Sequence, residues 1–132
     1  MLDPARGLKF KGGSSPSALG FSLNRAGDIN GDGIDDIIMG APMENNQAGS
    51  AYVVFGSKNL DSEIALINGL SPTEGFKFIG KTSFDVLGTA VSAAGDVNGD
   101  GMIDLLVGAY GVNSQAGDVY LWLAPCKRFF CL

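Results

Sequence analysis

A 68-residue internal repeat constrains the fold of this chain more than any other feature of its sequence. Asp28 is followed 68 positions later by Asp96, and the same separation relates residue pairs along most of the chain. The matched pairs include Phe10 and Phe78, Gly12 and Gly80, Leu19-Gly20 and Leu87-Gly88, Gly40-Ala41 and Gly108-Ala109, Gln47-Ala48-Gly49 and Gln115-Ala116-Gly117, and Tyr52 and Tyr120. Because the register holds without an insertion, we interpret the chain as a tandem duplication of one structural unit.

Each unit contains a nine-residue acidic segment, with the sequence DINGDGIDD from Asp28 and DVNGDGMID from Asp96. Calcium takes about 6 to 8 oxygen ligands, so a short loop that binds it must turn several carboxylates and a backbone carbonyl toward one point. Gly33 and Gly101 stand where such a loop turns sharply, since glycine adopts positive φ without steric cost. The predicted ligands are the side chains of Asp28, Asn30, Asp32 and Asp36 with the carbonyl of Ile34, and the side chains of Asp96, Asn98, Asp100 and Asp104 with the carbonyl of Met102. The sequence therefore predicts two calcium sites, one in each unit.

Two other interpretations of the acidic segments compete with this one. An acidic, glycine-rich segment can be a solvated turn, but the crowded carboxylates of both copies would repel one another without a bound cation. A helix-loop-helix site of the EF-hand or dockerin type ends with an acidic ligand at its twelfth position, which here is Met39 or Val107. The apolar runs that follow the segments end at Gly40 and Gly108 and favour buried strands over helices.

Four strands are predicted for each unit from hydrophobic alternation and from runs of apolar and aromatic residues. The predicted strands are residues 18–25 and 86–93, 36–41 and 104–109, 50–55 and 118–123, and 8–11 and 76–79. The acidic segments then become the hairpins that join the first two of these strands in each unit. Residues 56–75 are predicted to form a long surface connection, with a short edge segment near residues 64–67.

Two short glycine motifs flank the acidic segment in each unit. They are Leu19-Gly20 and Leu87-Gly88 on one side, and Gly40-Ala41-Pro42 and Gly108-Ala109-Tyr110 on the other. With these motifs, which stand where the family has Phe-Gly and Gly-Ala-Pro, the units resemble FG-GAP repeats, the β-propeller blades of integrin α-subunits and of many secreted bacterial proteins. The resemblance covers residues 7–123 and implies an all-β fold of two four-stranded antiparallel β-propeller blades. The repeats would occupy residues 7–68 and 69–124, with an atypical tail at residues 125–132.

Two blades do not close a propeller, since closed propellers have about 4 to 8 blades. Isolated blades would leave flanking Ile, Leu and Val side chains open to water. We therefore expect either a head-to-tail homo-oligomer of about two to four copies or a chain that continues into further blades. In an oligomer, the strand at residues 8–11 would complete a blade of a neighbouring copy. The tail departs from the repeat after residue 123, which favours a piece of a longer protein.

Composition narrows the classes of partner. The formal net charge of −5 argues against nucleic acid and against an anionic membrane surface, and two divalent cations would neutralise most of it. No apolar run reaches the roughly 18 residues of a membrane span, and the first residues do not begin a signal peptide, so an export signal would have been removed or lie outside this sequence. Cys126 and Cys131 leave both a disulfide and two free thiols open.

Groups that could perform catalysis are scarce. The chain has no histidine, its serines lack a nucleophile-elbow context, and its clustered aspartates are assigned to calcium. We therefore predict a non-catalytic protein. The resemblance implies a calcium-binding module for adhesion, extracellular or at the cell surface, with an unidentified protein or glycan as its ligand. The alternative is a purely structural repeat of a larger secreted or surface protein, such as an enzyme whose catalytic part lies elsewhere.

Exposed aromatic side chains in the loops would favour ligand binding over a scaffold role. The loops at residues 43–48 and 112–116 carry mainly Asn, Gln and Glu, which favours a scaffold or contact with a glycan. Trp122, the only tryptophan, lies within a predicted strand and is expected in the core rather than on a binding platform.

Overall fold

Nine β-strands organise the computed structural model, which describes residues 7–13, 16–59 and 63–125. The strands are β1 (Lys9–Lys11), β2 (Ser22–Gly27), β3 (Asp36–Ala41), β4 (Ser50–Val54), β5 (Glu63–Ala65), β6 (Gly75–Ile79), β7 (Leu87–Gly95), β8 (Asp104–Ala109) and β9 (Asp118–Trp122). The helical elements of the described residues are the single turns α1 (Glu44–Gln47) and α2 (Val112–Gln115) and a 3₁₀ turn at Leu66–Asn68. None of these described helices is long and apolar enough to cross a membrane. The predicted all-β fold is confirmed. The two cysteines and most of the predicted tail lie outside the described residues.

The first blade is a four-stranded antiparallel sheet in the order β2-β3-β4-β6. Its two central strands are apolar runs rich in β-branched residues, which favour extended backbone, and they pair with Ile38 opposite Val53. The fourth strand, β6, hydrogen-bonds to β4 although it follows residue 69 in the sequence. The sheets therefore divide after residue 79, whereas the predicted sequence repeats divide at residue 69.

The second blade is an antiparallel sheet in the order β7-β8-β9. It repeats the first three strands of the first blade, and the bounds of β8 equal those predicted from the sequence. Within the described residues no fourth strand pairs with β9, so the expected four-stranded second blade has three strands here.

The N-terminal strand β1 lies outside both blades. The sequence predicts residues 8–11 as a fourth strand of a blade, but β1 pairs in parallel with β5 instead, with Phe10 opposite Ile64. The physical reason is packing, because Phe10 and Ile64 contact an apolar cluster on the first blade that includes Met39 and Tyr52. The small β1-β5 sheet thus covers part of the face that is turned away from the second blade.

The two blades pack face to face through an apolar core. The buried residues at its centre are Ile38, Ala51 and Val53 from the first blade and Leu105, Val107 and Ala109 from the second. Aromatic rings extend this core, and the ring centroid of Trp122 lies 4.9 Å from that of Phe76 and 6.0 Å from that of Phe78. The expectation that Trp122 belongs to the core is confirmed.

Two apolar side chains near the start of the first blade are exposed rather than buried. Alternation along residues 18–25 predicts a buried face, but Phe21 is 65 % exposed and Leu23 is 67 % exposed. Val91, the counterpart of Leu23 in the second blade, is buried because it packs into the core between the blades. In the part of the chain that the structure describes, the first blade has no neighbouring blade on that side.

The backbones of the two blades lie close together at Gly40 and Gly88. A Cβ atom added to Gly40 would collide with the carbonyl oxygen of Gly88. The Ser22 hydroxyl donates a hydrogen bond of 2.7 Å to that same oxygen. In contrast, a Cβ atom added to Gly108, the counterpart of Gly40, would meet its nearest neighbour, Ala90 Cβ, at an ordinary 3.4 Å.

We expect Gly40→Ala to destabilise the fold by about 1–3 kcal/mol, because the added methyl group meets backbone atoms that cannot move aside. Gly108→Ala, the matched change in the second blade, is expected to be close to neutral. Urea unfolding of both variants, followed by circular dichroism, measures the difference. Equal unfolding midpoints for the two variants would contradict the close approach of the blades at Gly40.

Candidate metal centres

The two acidic loops occupy equivalent positions in the blades. The first connects β2 to β3 and the second connects β7 to β8, each as an antiparallel hairpin. Gly33 and Gly101 both have a φ of +87°, as their place in the predicted turn requires. The predicted hairpins and the turning role of these glycines are therefore confirmed.

The carboxylate of Asp28 organises the turn of the first loop. Asp28 Oδ1 accepts hydrogen bonds from the N–H groups of Gly31 (2.7 Å) and Asp32 (3.0 Å), and Oδ2 accepts one from Gly33 (2.8 Å). Asn30 Nδ2 donates to Asp32 Oδ2 at 3.0 Å. Asp28, Asn30 and Asp32, three of the predicted ligands, therefore lie within one tight turn.

The second loop repeats this arrangement. Asp96 Oδ1 accepts a hydrogen bond from the N–H of Asp100 (2.9 Å), and its Oδ2 accepts one from Gly101 (2.8 Å). Asn98 Nδ2 donates to Asp100 Oδ2 at 3.0 Å. The loops share this geometry although three of their nine residues differ, so it follows from the Asp, Asn and Gly positions that they have in common.

The last aspartate of each loop is buried where the loop enters the blade. Asp36 is 1 % exposed and Asp104 is 0 % exposed. Asp36 accepts hydrogen bonds from the N–H groups of Ile29 (2.9 Å) and Gly56 (2.8 Å), which ties the loop to the segment after β4. Asp104 makes the equivalent pair of hydrogen bonds in the second blade, at 2.8 and 2.9 Å.

The aspartates of the first loop act on one another electrostatically. Burial raises the pKa of Asp36, because removal from water disfavours the charged form. Hydrogen bonds from Gly56 and Ile29 oppose this rise, and the negative charges of Asp32 and Asp28 add to it. A cation among these carboxylates would relieve their repulsion.

The predicted carbonyl ligands belong to residues of the same turns. Ile34 and Met102 donate their N–H groups to Oδ1 of Asp32 and Asp100, at 2.8 and 2.9 Å. Across the described residues, no three carboxylate, cysteine or histidine side chains are gathered closely enough to hold a metal ion. The calcium sites and their ligand sets therefore stay predictions.

The donor chemistry of the loops fits calcium. Calcium prefers carboxylate and carbonyl oxygens and accepts flexible geometry, and both loops present these donors. A carboxylate offers about four lone-pair positions. Asp28 uses three of them for N–H groups and Asp36 uses two, so each keeps room for a cation.

The sequence patterns do not predict a buried charged cluster that lies in the first blade. Glu44 is 2 % exposed, and its Oε1 accepts a hydrogen bond of 2.8 Å from the Tyr52 hydroxyl. Its Oε2 forms a salt bridge of 2.8 Å with Lys77 Nζ, which also lies 4.7 Å from the centroid of the Tyr52 ring. One sequence signal marks the position, because the second unit has Val112 where the first has Glu44.

Hydrogen bonds within this cluster stabilise the charged form of Lys77. Burial by itself would lower the pKa of Lys77, but hydrogen bonds to Glu44 and Tyr52 outweigh it, and the pKa is raised. Burial raises the pKa of Tyr52 as well. In the described part of the chain, every buried side-chain nitrogen or oxygen has a hydrogen-bond partner. The cluster is therefore a satisfied structural network rather than a group poised to react.

The blade ends opposite the acidic loops expose two aromatic side chains. Phe84, in the connection from β6 to β7, is 59 % exposed, and Tyr110, just after β8, is 57 % exposed. The carbonyl oxygen of Phe84 lies against the Cα position of Gly111, which brings the two aromatic residues to neighbouring parts of the backbone. The loops considered from the sequence, at residues 43–48 and 112–116, contain neither of them.

Comparisons with known proteins find the same two segments. The family model described as FG-GAP repeat matches residues 25–54 and 87–122, and each matched segment contains one acidic loop. The chain is 40 % identical over 94 residues to integrin alpha pat-2 of Caenorhabditis briggsae, and 34 % identical over 95 residues to integrin alpha-M of Mus musculus. It is 32 % identical over 108 residues to integrin alpha-11 of Homo sapiens.

These matches cover most of this chain but little of the relatives. They include 69 %, 70 % and 80 % of its residues, respectively. The chain spans only 7 % of the length of the first relative and 8 % of each of the other two.

Proposed function

Because this chain belongs to the FG-GAP repeat family, we propose that it is a calcium-binding, non-catalytic β-propeller module of an extracellular or cell-surface adhesion protein. The observation that carries the proposal is the pair of acidic loops, which hold the same Asp, Asn and Asp side chains in the same hydrogen-bonded turn of both blades. Similarity to integrin alpha chains supports the adhesion role and the location.

The ligands of the proposed sites are those that the sequence predicts. They are Asp28, Asn30, Asp32, Asp36 and the Ile34 carbonyl in the first blade, and Asp96, Asn98, Asp100, Asp104 and the Met102 carbonyl in the second. Calcium would supply positive charge among carboxylates that otherwise repel one another. Since Asp36 also binds the N–H of Gly56, a cation in the first loop would stabilise the junction of β3 with the segment after β4.

The end of the blades opposite the calcium loops is the surface that we propose for ligand contact. Exposed aromatic side chains are enriched in binding surfaces, because they offer large contact area at low entropic cost. Phe84 and Tyr110 give this end such side chains, and Met43, in the β3–β4 connection of the first blade, is 38 % exposed. This observation favours ligand binding over the alternative of a purely structural repeat.

Native mass spectrometry in calcium tests the metal sites. We expect two calcium ions on the wild-type chain, one on Asp32→Asn, one on Asp100→Asn and none on the double variant. Each substitution removes one carboxylate, while the asparagine oxygen can still accept the N–H of Ile34 or Met102.

The matched control for these variants is Asp35→Asn. Asp35 is exposed and belongs to the first loop, but it pairs with Arg25 and is outside the predicted ligand set. This variant should keep both ions. A wild-type chain without calcium, or a double variant that still binds two ions, would contradict the proposed sites.

Binding measurements separate the adhesion role from the scaffold role. The immobilised chain is incubated with a panel of extracellular-matrix proteins and glycans, and the same is done with the double variant Phe84→Ala and Tyr110→Ala. We expect retention of a panel member that the double variant loses. Phe21→Ala, which removes an exposed aromatic ring elsewhere on the first blade, should not change retention. No retention by the wild type, or equal retention by the double variant, would favour the scaffold alternative.

A further inference from the structure

In the part of the chain that the structure describes, the outer edge of β9 is unpaired. Among the described residues β9 pairs with β8 alone, whereas its counterpart β4 pairs with both β3 and β6. Val119 is 69 % exposed and Leu121 is 44 % exposed, while the matching residues of β4, Ala51 and Val53, are both 0 % exposed. Within the described residues, the second blade therefore has no strand beyond β9, and no further blade covers the face that carries Val119 and Leu121 as the second blade covers Ala51 and Val53.

A cavity lies beside this open edge. Its volume is about 230 Å³. It lies between β9 on one side and the end of β6 with the connection to β7 on the other. Tyr120, Leu121 and Trp122 line one side, and Phe78, Ile79 and Asp85 are among the residues on the other. Because side chains alternate along a strand, a strand added to β9 would direct every second side chain toward this cavity.

Residues 7–12 have the sequence of a fourth strand. GLKFKG at residues 7–12 aligns with GFKFIG at residues 75–80, which contain β6, and the glycines, the first lysine and the phenylalanine are identical. Leu8 stands where the other segment has Phe76, so this position is apolar in both. The only polar change is Lys11 for Ile79, and Ile79 is 64 % exposed in β6, so a lysine is tolerated at that place.

The pairing of β6 with β4 predicts the register of an added strand on β9. By the repeat, Lys9 would stand opposite Tyr120, as the equivalent pair does in the first blade, and Lys11 would stand opposite Asp118. The Tyr120 hydroxyl lies 3.5 Å from Asp118 Oδ2. Lys9 would therefore meet the aromatic ring of Tyr120, and Lys11 would meet the carboxylate of Asp118. Cation–ring contacts and opposite charges across strands both stabilise strand pairing.

We infer that the open edge of β9 accepts residues 7–12 of a second copy of this chain, which become the fourth strand of the second blade. The position that the segment would leave is held by few contacts, because β1 pairs with β5 over only three residues and Phe10 is only partly buried against the apolar cluster of the first blade. The salt bridge from Lys9 to Glu63, at 3.4 Å, is exposed and contributes little. Strand addition replaces these contacts with five backbone pairs of the kind that β6 forms with β4.

Residues 7–12 of the same chain are too far from β9 to become its fourth strand. β1 packs against one face of the first blade, in the cluster that includes Met39 and Tyr52, whereas the second blade packs against the opposite face. To reach β9, the segment would have to leave that cluster and pass around the whole first blade. The segment of a second copy must also leave its own cluster, but it does not have to pass around the first blade, so completion of the sheet associates the chains.

Light scattering coupled to size-exclusion chromatography of the full chain, over a wide concentration range, tests the inference. We expect the wild type to have the mass of two or more chains. Asp118→Lys and Lys11→Glu should each weaken association by about tenfold, because each places like charges opposite one another. An equal mixture of the two variants should restore it, since every acceptor edge then meets a segment of opposite charge. A loss caused by unfolding would not be rescued by mixing.

Two further chains complete the experiment. Leu23→Lys changes an exposed apolar side chain on β2 and should leave the association unchanged. A chain that ends at residue 125 should associate like the wild type. A monomeric wild type, an association that neither charge substitution weakens, variants that mixing does not rescue, or association that begins only after residues 126–132 are removed would each overturn the inference. In the last case the chain's own tail, rather than a second copy, would occupy β9.

Discussion

Chelation of calcium is expected to lower the melting temperature of this protein by about 10–20 °C. A site that binds only the folded chain adds about 1.4–2.7 kcal/mol when free calcium exceeds the dissociation constant by about 10- to 100-fold. Without the cation, the charges of Asp28 and Asp32 disfavour the ionised form of the buried Asp36. The hairpin that enters β3 is then destabilised, and the same holds for the second blade if its loop binds calcium in the same way.

Thermal unfolding followed by circular dichroism, in calcium and after chelation, measures this effect. Asp32→Asn and Asp100→Asn are each expected to remove about half of the calcium response, and the double variant nearly all of it. Asp35→Asn is the control, because its carboxylate forms an exposed salt bridge with Arg25 at 2.8 Å and lies outside the predicted ligand set. A double variant with the wild-type response would show that calcium stabilises the protein at another place, and a wild type that does not respond would contradict structural calcium.

The second large effect on the stability of the fold is expected from substitution of Glu44. Glu44→Ala should cost about 3 kcal/mol, because it leaves the buried Tyr52 hydroxyl without its acceptor and Lys77 without its counter-charge. Urea unfolding, carried out in chelator as well as in calcium, measures the loss. We expect the same loss in both conditions, since the cluster lies apart from the acidic loops.

Matched variants separate the cluster from a general effect of substitution. Glu44→Gln keeps an oxygen for the Tyr52 hydroxyl and should recover part of the loss. Tyr52→Phe should destabilise the fold by about 1 kcal/mol, whereas Tyr120→Phe, at the equivalent and more exposed position of the second blade, should be close to neutral. If Glu44→Ala unfolds at the same urea concentration as the wild type, the cluster does not contribute to stability.

The elements that the sequence predicts correctly depend on residues close together in the chain. β3 and β8 have the predicted bounds because each apolar run is preceded by an acidic loop and ended by a Gly-Ala pair. The positive φ of Gly33 and Gly101 was predictable because the loop must turn there. The equivalence of the two hairpins follows from the repeat, since the same local pattern produces the same local structure.

The elements that the sequence does not predict depend on distant partners. Residues 8–11 copy β6 in sequence, yet β1 pairs with β5, because Phe10 finds an apolar cluster on the first blade. Glu44 belongs to a polar loop in the sequence, but it is buried by contact with Tyr52 and with Lys77, which lies 33 residues away. Leu23 alternates like a core residue and is exposed, because no blade covers that face in the described structure.

The sequence by itself determined the family, the repeated β-blades and the paired acidic loops with their oxygen donors. Short-range patterns of residue type are sufficient for these features, because strand formation, tight turns and ligand spacing are set within a few residues of the chain. The tertiary structure alone decided which strands share a sheet, which face of each blade is covered, and that the outer edge of β9 is unpaired among the described residues. Those outcomes depend on competition between surfaces far apart in sequence, and a pattern that is repeated in both units cannot reveal which copy finds a partner.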